Sequence, residues 1–213
     1  MQSSSRLTEV GPANEPGSNQ LREKTQALKR ALLKSQFEAS TEKLASRALE
    51  QLQQNTERLK SFERTLSLKL DLNELTYQRY HSVAQEVHLA ILDHLNEVAT
   101  YLATASAMKP EETETRLREL SKIASQEVPT SESDLTGELT TLKARVSVFS
   151  KELSSAEALL VANETAITRL DQLTSAVSEM KNLTQSTTGD MGSLLIELEE
   201  LAARAKKYPG AQS

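Results

Sequence analysis

The chain has 213 residues, a formal net charge of −5 and no cysteine. Lack of cysteine excludes disulfides, thiolate catalysis and cysteine-ligated zinc, and the negative charge disfavours nucleic acid as the main partner. Aromatic residues make up only 3% of the chain, which favours a thin aliphatic core between helices. No apolar run reaches the roughly 20 residues of a membrane span. The N-terminal residues lack the apolar core of an export signal, so we expect a cytoplasmic protein.

The N-terminal third of the chain predicts a tail followed by one long helix. Residues 1–18 are rich in Ser, Pro, Gly and Asn and predict a disordered tail. Residues 19–69 contain no Gly or Pro, and their apolar residues recur at eleven-residue intervals, which predicts a first helix. Asp71 and Glu74 have the spacing of a capping box and predict a turn into an antiparallel second helix. The alternative is one helix that runs straight through this junction.

Two further helices are predicted on either side of Pro110. The second helix covers residues 72–108 and a short third helix covers 111–126, because proline followed by acidic residues is typical of a helix start. Three neighbouring rows of apolar residues at eleven-residue spacing form a broad stripe on the second helix. A stripe of this width predicts contact with more than one neighbouring helix.

A heptad pattern dominates the C-terminal half. Apolar residues step by four and three from about Asp134 to Thr184, which predicts a long coiled-coil helix over residues 134–185. Gly189 and Gly192 then predict a loop. A last helix over residues 193–207 and a disordered tail over 209–213 complete the chain.

The helix lengths predict how the chain is arranged. At 1.5 Å per residue the first helix is about 75 Å long, and the heptad helix is similar. The second and third helices, placed end to end, sum to nearly the same length. We therefore predict an all-α fold over residues 19–208, an elongated antiparallel three- to four-helix bundle with coiled-coil packing.

No residue pattern predicts catalysis, a cofactor or a metal site. The sequence contains no Gly-rich phosphate loop, no G-x-S-x-G and no H-E-x-x-H. His81 and His88 are seven residues apart, too far for one ion on one helix. We interpret these two histidines as solvated and His94 as a hydrogen-bonded core histidine.

Five residues are candidates for register or partner recognition. Asn163 interrupts a good heptad row, and a buried Asn in a coiled coil can fix the helix register. His94 lies in an apolar row of the second helix. Tyr77, Arg79 and Tyr80 follow the predicted turn and form either a joint between helices or a partner-binding hot spot.

Taken together, the sequence favours a non-catalytic scaffold or adaptor. We predict that helix faces contact a helical protein partner or a second copy of the chain, giving a homo-oligomer. Residues 20–71 carry 11 Lys and Arg against 7 Asp and Glu. This excess most simply predicts ion pairs with the acidic helices, and the alternative is a peripheral membrane protein that assembles on anionic lipid.

Overall fold

The computed structural model describes residues 16–125, 132–180 and 188–207. The described residues form helices joined by turns and contain no strand, so the fold is all-helical with helices packed against one another. Both predicted tails lie largely outside the described residues, because the structure begins at Pro16 and ends at Lys207. The six helices are α1 (Pro16–Gln36), α2 (Glu42–Lys69), α3 (Leu75–Ala107), α4 (Pro110–Ala124), α5 (Glu132–Glu179) and α6 (Thr188–Lys207).

The single helix predicted over residues 19–69 is two helices in the structure, α1 and α2. Hydroxyl side chains replace the missing helical hydrogen bonds at the break. Thr41 is buried, and its Oγ1 donates to the backbone oxygen of Ser35 at 2.7 Å. Ser and Thr compete with the helix for backbone partners in this way. The break interrupts the row of apolar residues at eleven-residue spacing, because Phe37 lies in the turn and is 87% exposed.

The other helix ends differ from prediction by a few residues. The chain turns at residues 70–74, so one helix running through this junction does not describe the structure. Helix α5 ends at Glu179 rather than at 185. Helix α6 begins at Thr188, and its backbone continues through Gly192, which has no positive φ. The predicted loop therefore shares residues 188–192 with α6, and residues 181–187 lie outside the described part of the chain.

Specific contacts give the helix directions. Helices α2 and α5 run the same way, because Arg47 contacts Glu157 while Arg58 contacts Asp171 further along both helices. Helix α3 runs opposite to α2, since His81 contacts Glu63. Helices α3 and α4 then follow one another along α5, where Arg116 of α4 pairs with Glu138 at 2.9 Å.

The core lies where α2, α3, α5 and α6 meet. The broad stripe of α3 packs against α1, α2, α5 and α6, as its width predicts. Burial of each leucine in such a core stabilises the fold by about 1.5–3 kcal/mol. The fully buried large side chains there include Phe62, Leu66, Ile91, Leu95, Leu102, Leu160, Leu170, Leu173 and Leu198.

Candidate functional site

The turn between α2 and α3 is fixed by its own polar groups. Glu74 Oε1 accepts from the backbone nitrogen of Asp71 at 3.0 Å, and Asp71 Oδ1 accepts from that of Asn73 at 2.9 Å. Glu74 therefore reaches back as in a capping box, but Asp71 forms an Asx turn two residues on instead of capping α3. Leu70 is buried and anchors the turn to the core.

Three exposed leucines lie in this turn or in the helix ends beside it. Leu68, Leu72 and Leu75 are 77%, 60% and 82% exposed, and we call this group the leucine tip. The end of α5 lies beside it, because Lys69 Nζ donates to the backbone oxygen of Met180 at 3.1 Å. Single exposed leucines are common on protein surfaces, whereas a contiguous exposed apolar patch is typical of an interaction site.

The predicted residues Tyr77, Arg79 and Tyr80 form a joint between helices next to the leucine tip. Tyr77 and Tyr80 are half-buried against the core. Burial raises the pKa of Tyr80, and the nearby Arg79 guanidinium partly opposes this rise. Arg79 Nη2 donates to Glu199 Oε1 of α6 at 3.0 Å. This pairing links α3 to α6 at the exposed surface, so Arg79 contacts a neighbouring helix.

The histidines near this joint, His81 and His88, are less exposed to solvent than our interpretation of the sequence expects. Tyr77 stacks on His81 with ring centroids 5.7 Å apart. His81 is half-buried, and its Nε2 lies 3.1 Å from Glu63 Oε1. His88 is buried, and its Nδ1 has no hydrogen-bond partner among the described residues. Burial lowers the pKa of His88, against smaller opposing effects of Asn55 and Glu63. The interpretation of His88 as solvated is therefore wrong.

Asn163 and His94 meet inside the protein, although 69 residues separate them. His94 Nδ1 and Asn163 Oδ1 are 2.8 Å apart. A carboxamide oxygen only accepts, so this contact is a hydrogen bond when His94 Nδ1 carries the proton. Asn163 is fully buried, and its Nδ2 finds no acceptor among the described residues. The pair joins α3 to α5 at one defined register.

Two more buried amides, both on α2, join that helix to α3 and to α5. Asn55 Nδ2 donates to the backbone oxygen of His88 at 3.1 Å. Gln51 Nε2 donates to the backbone oxygen of Leu160 at 2.8 Å and to Glu164 at 3.1 Å. Asn55 stands out in the sequence because it interrupts an apolar row. Gln51 gives no such signal, although its helical neighbours Ala48 and Asn55 lie on the same buried face.

Several kinds of site are not found in the described part of the chain. No group of three or more His, Asp or Glu side chains is placed to hold a metal ion there. No described helix is long and apolar enough to cross a membrane. Comparison with protein families, curated proteins and solved structures finds no match for this chain.

Proposed function

We propose that this protein is a non-catalytic scaffold or adaptor whose leucine tip binds a second copy of the chain. The finer architecture that we propose is an elongated antiparallel three- to four-helix bundle with coiled-coil packing. The observation that carries the function is the exposure of three leucines around the junction of α2 and α3, namely Leu68 in the last turn of α2, Leu72 in the connecting turn and Leu75 at the start of α3. Apolar side chains grouped in this way gain free energy when a partner removes them from water.

The leucine tip is a better candidate than the stripe of α3. That stripe already contacts α1, α2, α5 and α6, so little of it is left for a partner. The junction of α2 and α3 differs from the stripe, because three leucines within eight residues there are exposed. Another helical protein is the alternative partner, since its apolar face would cover the same side chains.

The rim of the leucine tip suits a symmetric contact between two copies. Lys69 is the last residue of α2, and Asp71 and Glu74 lie in the turn that follows it. In a two-fold interface each surface meets its own equivalent, so residues of both charges are available on both sides of the contact. Association entropy opposes a contact this small, and we expect a dissociation constant of roughly micromolar to millimolar strength.

Light scattering across a concentration series tests the proposal. The wild-type weight-average mass should rise towards that of a dimer as the concentration increases. Replacing Leu72 and Leu75 together by Glu should abolish this rise, because carboxylates would then face each other across the contact. Val161→Glu is the matched control, since Val161 is an exposed apolar residue of α5, remote from the turn.

A constant monomeric mass for the wild type would refute self-association through the leucine tip. Crosslinking to a helical protein that the double variant no longer binds would then establish the alternative partner. If Val161→Glu abolished the rise as well, the contact would lie elsewhere on the surface.

Helix α1 supports a second candidate function, assembly on anionic lipid. It carries five exposed cations against Glu23. In the structure these cations form no ion pair with the described residues of the other helices, whereas Arg47 and Arg58 of α2 pair with acidic residues of α5. A basic helix with a free polar face is attracted to anionic headgroups. The five residues are Arg22, Lys24, Lys29, Arg30 and Lys34.

Co-sedimentation with phosphatidylserine vesicles tests this second candidate. Binding should fall as salt increases, because the attraction is electrostatic. Replacing Lys29 and Arg30 by Glu should remove it. The matched control replaces Lys143 and Lys151, two exposed lysines of α5, by Glu. Absence of binding at low salt, or equal loss in both double variants, would exclude α1 as a lipid-binding surface.

A further inference from the structure

Helices α3, α5 and α6 line a cavity that is partly open to solvent and that neither proposed function uses. Its volume is about 280 Å³. The lining is almost entirely apolar, and it contains no Asp, Glu, Lys or Arg among the described residues. The apolar residues that line it include Val87, Ile91, Leu159, Ala166, Leu201 and Ala202.

Small side chains create this cavity within the core. Ala166 and Ala202 occupy positions at which a leucine would extend into the space between α5 and α6. An apolar void destabilises a fold in proportion to its volume, and close packing is the rule in protein interiors. The apolar lining of this partly open cavity is instead left exposed to solvent, and a bound apolar molecule would cover it.

The cavity also has one polar anchor. Asn163 and His94 both line it, and their mutual hydrogen bond uses Asn163 Oδ1. Asn163 Nδ2 is left as a fully buried donor without an acceptor among the described residues. Such a donor destabilises the fold until an acceptor is supplied. An apolar molecule with one acceptor oxygen would fit both features, because its apolar part would cover the lining and its oxygen would accept from Asn163 Nδ2.

We propose that this cavity is a binding site for a neutral aromatic ketone or a similar bicyclic molecule with one acceptor oxygen. Cavities of about 150 Å³ lined by aliphatic side chains bind benzene, so this larger space suits a two-ring molecule. The ring system lies against the aliphatic residues of α3, α5 and α6. The carbonyl oxygen accepts from Asn163 Nδ2, while His94 holds the carboxamide through Oδ1.

Calorimetric titration with two probes of nearly equal shape tests the proposal. The probes are 2-acetylnaphthalene, which has the carbonyl, and 2-ethylnaphthalene, which lacks it. The wild-type protein should bind the ketone saturably and about tenfold more tightly than the hydrocarbon, as expected for one buried hydrogen bond. Absence of saturable ketone binding, or equal affinity for both probes, would overturn the proposal.

Three variants test whether the probes bind in this cavity. Asn163→Leu removes the donor and fills part of the space, so it should abolish the preference for the ketone. Ala166→Leu fills the cavity and should weaken both probes, whereas Val161→Leu changes an exposed side chain of α5 and should leave both affinities unchanged. Retention of the ketone preference in Asn163→Leu would place the binding elsewhere and overturn the assignment.

A spectroscopic measurement covers the case in which Ala166→Leu does not fold. The side-chain amide signal of Asn163 is assigned in the wild-type ¹⁵N spectrum by its disappearance in Asn163→Leu. It should move on addition of the ketone and move less with the hydrocarbon, because only the ketone accepts from Nδ2. A signal that the ketone leaves unmoved would contradict the proposed contact.

Discussion

At the scale of single residues, buried amides link the helices of this protein. Asn55, Gln51 and Asn163 each donate to or accept from a neighbouring helix, so each bond specifies one register between two helices. Each amide also keeps one polar atom without a partner among the described residues. These contacts therefore favour a unique arrangement of helices while limiting its stability.

Asn163→Leu should raise the free energy of unfolding by about 1 kcal/mol, because it removes an unpartnered buried donor and adds apolar volume beside a cavity. His94 loses one hydrogen bond, but its half-buried ring can reach water instead. Urea unfolding followed by circular dichroism measures the difference. A less stable variant would mean that the hydrogen bond to His94 stabilises the fold by more free energy than the unpartnered Nδ2 and the unfilled cavity cost together.

His88 should make the protein less stable in mild acid. Burial lowers its folded-state pKa below the ordinary 6.5, so the unfolded chain binds more protons between these two pKa values. Stability is therefore present above about pH 6.5 and is lost as the pH falls through the folded pKa, by at most about 1.4 kcal/mol per pH unit for one group.

Thermal unfolding from about pH 7.5 to 5.5 measures this effect, because the ordinary pKa values of Asp and Glu lie below that window. His88→Leu should flatten the dependence of the melting temperature on pH. An NMR titration of the His88 ring should place its folded pKa below 6.5. Equal slopes in wild type and variant would show that other groups cause the loss.

Sequence patterns located some of these residues but not their partners. Asn55 and Asn163 are visible because each interrupts an apolar row, which is a local signal. The pairing of Asn163 with His94 depends on the position of α3 along α5. The sequence of either helix alone does not determine that register. Burial of His88 was missed for the same reason, since it depends on which face of α3 meets α2.

At the scale of elements, the junction between α3 and α4 contains the one described non-glycine residue with a positive φ. Lys109 has φ 48° and ψ 65° and directly precedes Pro110. A left-handed conformation is unfavourable for a residue with a Cβ, and a following proline restricts the backbone further. Lys109 Nζ also pairs with Glu112 at 2.9 Å on the exposed surface.

Lys109→Gly should therefore stabilise the protein by roughly 0.5 kcal/mol, since relief of strain exceeds the added entropy of the unfolded chain. Lys109→Ala is the matched control, because it removes the same ion pair but keeps the Cβ. The melting temperature of the Gly variant should exceed that of the Ala variant. The reverse order would show that the left-handed conformation is not strained here.

Element boundaries also show where sequence reasoning is limited. Proline identified the start of α4, since its missing N–H fits the first turn of a helix. The break between α1 and α2 was missed because it contains neither Gly nor Pro and depends on the buried hydroxyl of Thr41. The leucine tip was missed as well. The exposure of Leu72 and Leu75 follows from the position of the turn, not from the apolar pattern around it.

At the scale of the whole molecule, the covering of α5 changes along its length. Its C-terminal half packs against α2, α3 and α6, and fully buried residues recur there from Ala156 to Val177. Its N-terminal half packs against α4, and the heptad residues Leu139, Val146 and Phe149 are only half-buried. One continuous heptad pattern therefore includes a fully buried C-terminal half and a half-buried N-terminal half, and the pattern alone does not distinguish them.

This difference predicts unequal local stability within one continuous helix. Local opening needs less free energy where fewer apolar side chains are buried. Amide hydrogen exchange in residues 156–177 should be at least about tenfold slower than in residues 139–150, after correction for intrinsic rates, corresponding to about 1.4 kcal/mol.

Two variants separate local from global opening. Leu142→Ala removes a buried contact near α4 and should speed exchange in residues 139–150 while leaving residues 156–177 nearly unchanged. Leu170→Ala creates a cavity in the fully buried core and should speed exchange throughout α5, because core truncations of this kind cost about 2–5 kcal/mol of global stability. Uniform exchange along wild-type α5 would mean that the two-helix part unfolds together with the core. The stability of the α4–α5 pair would then be higher than the half-buried side chains between these helices indicate.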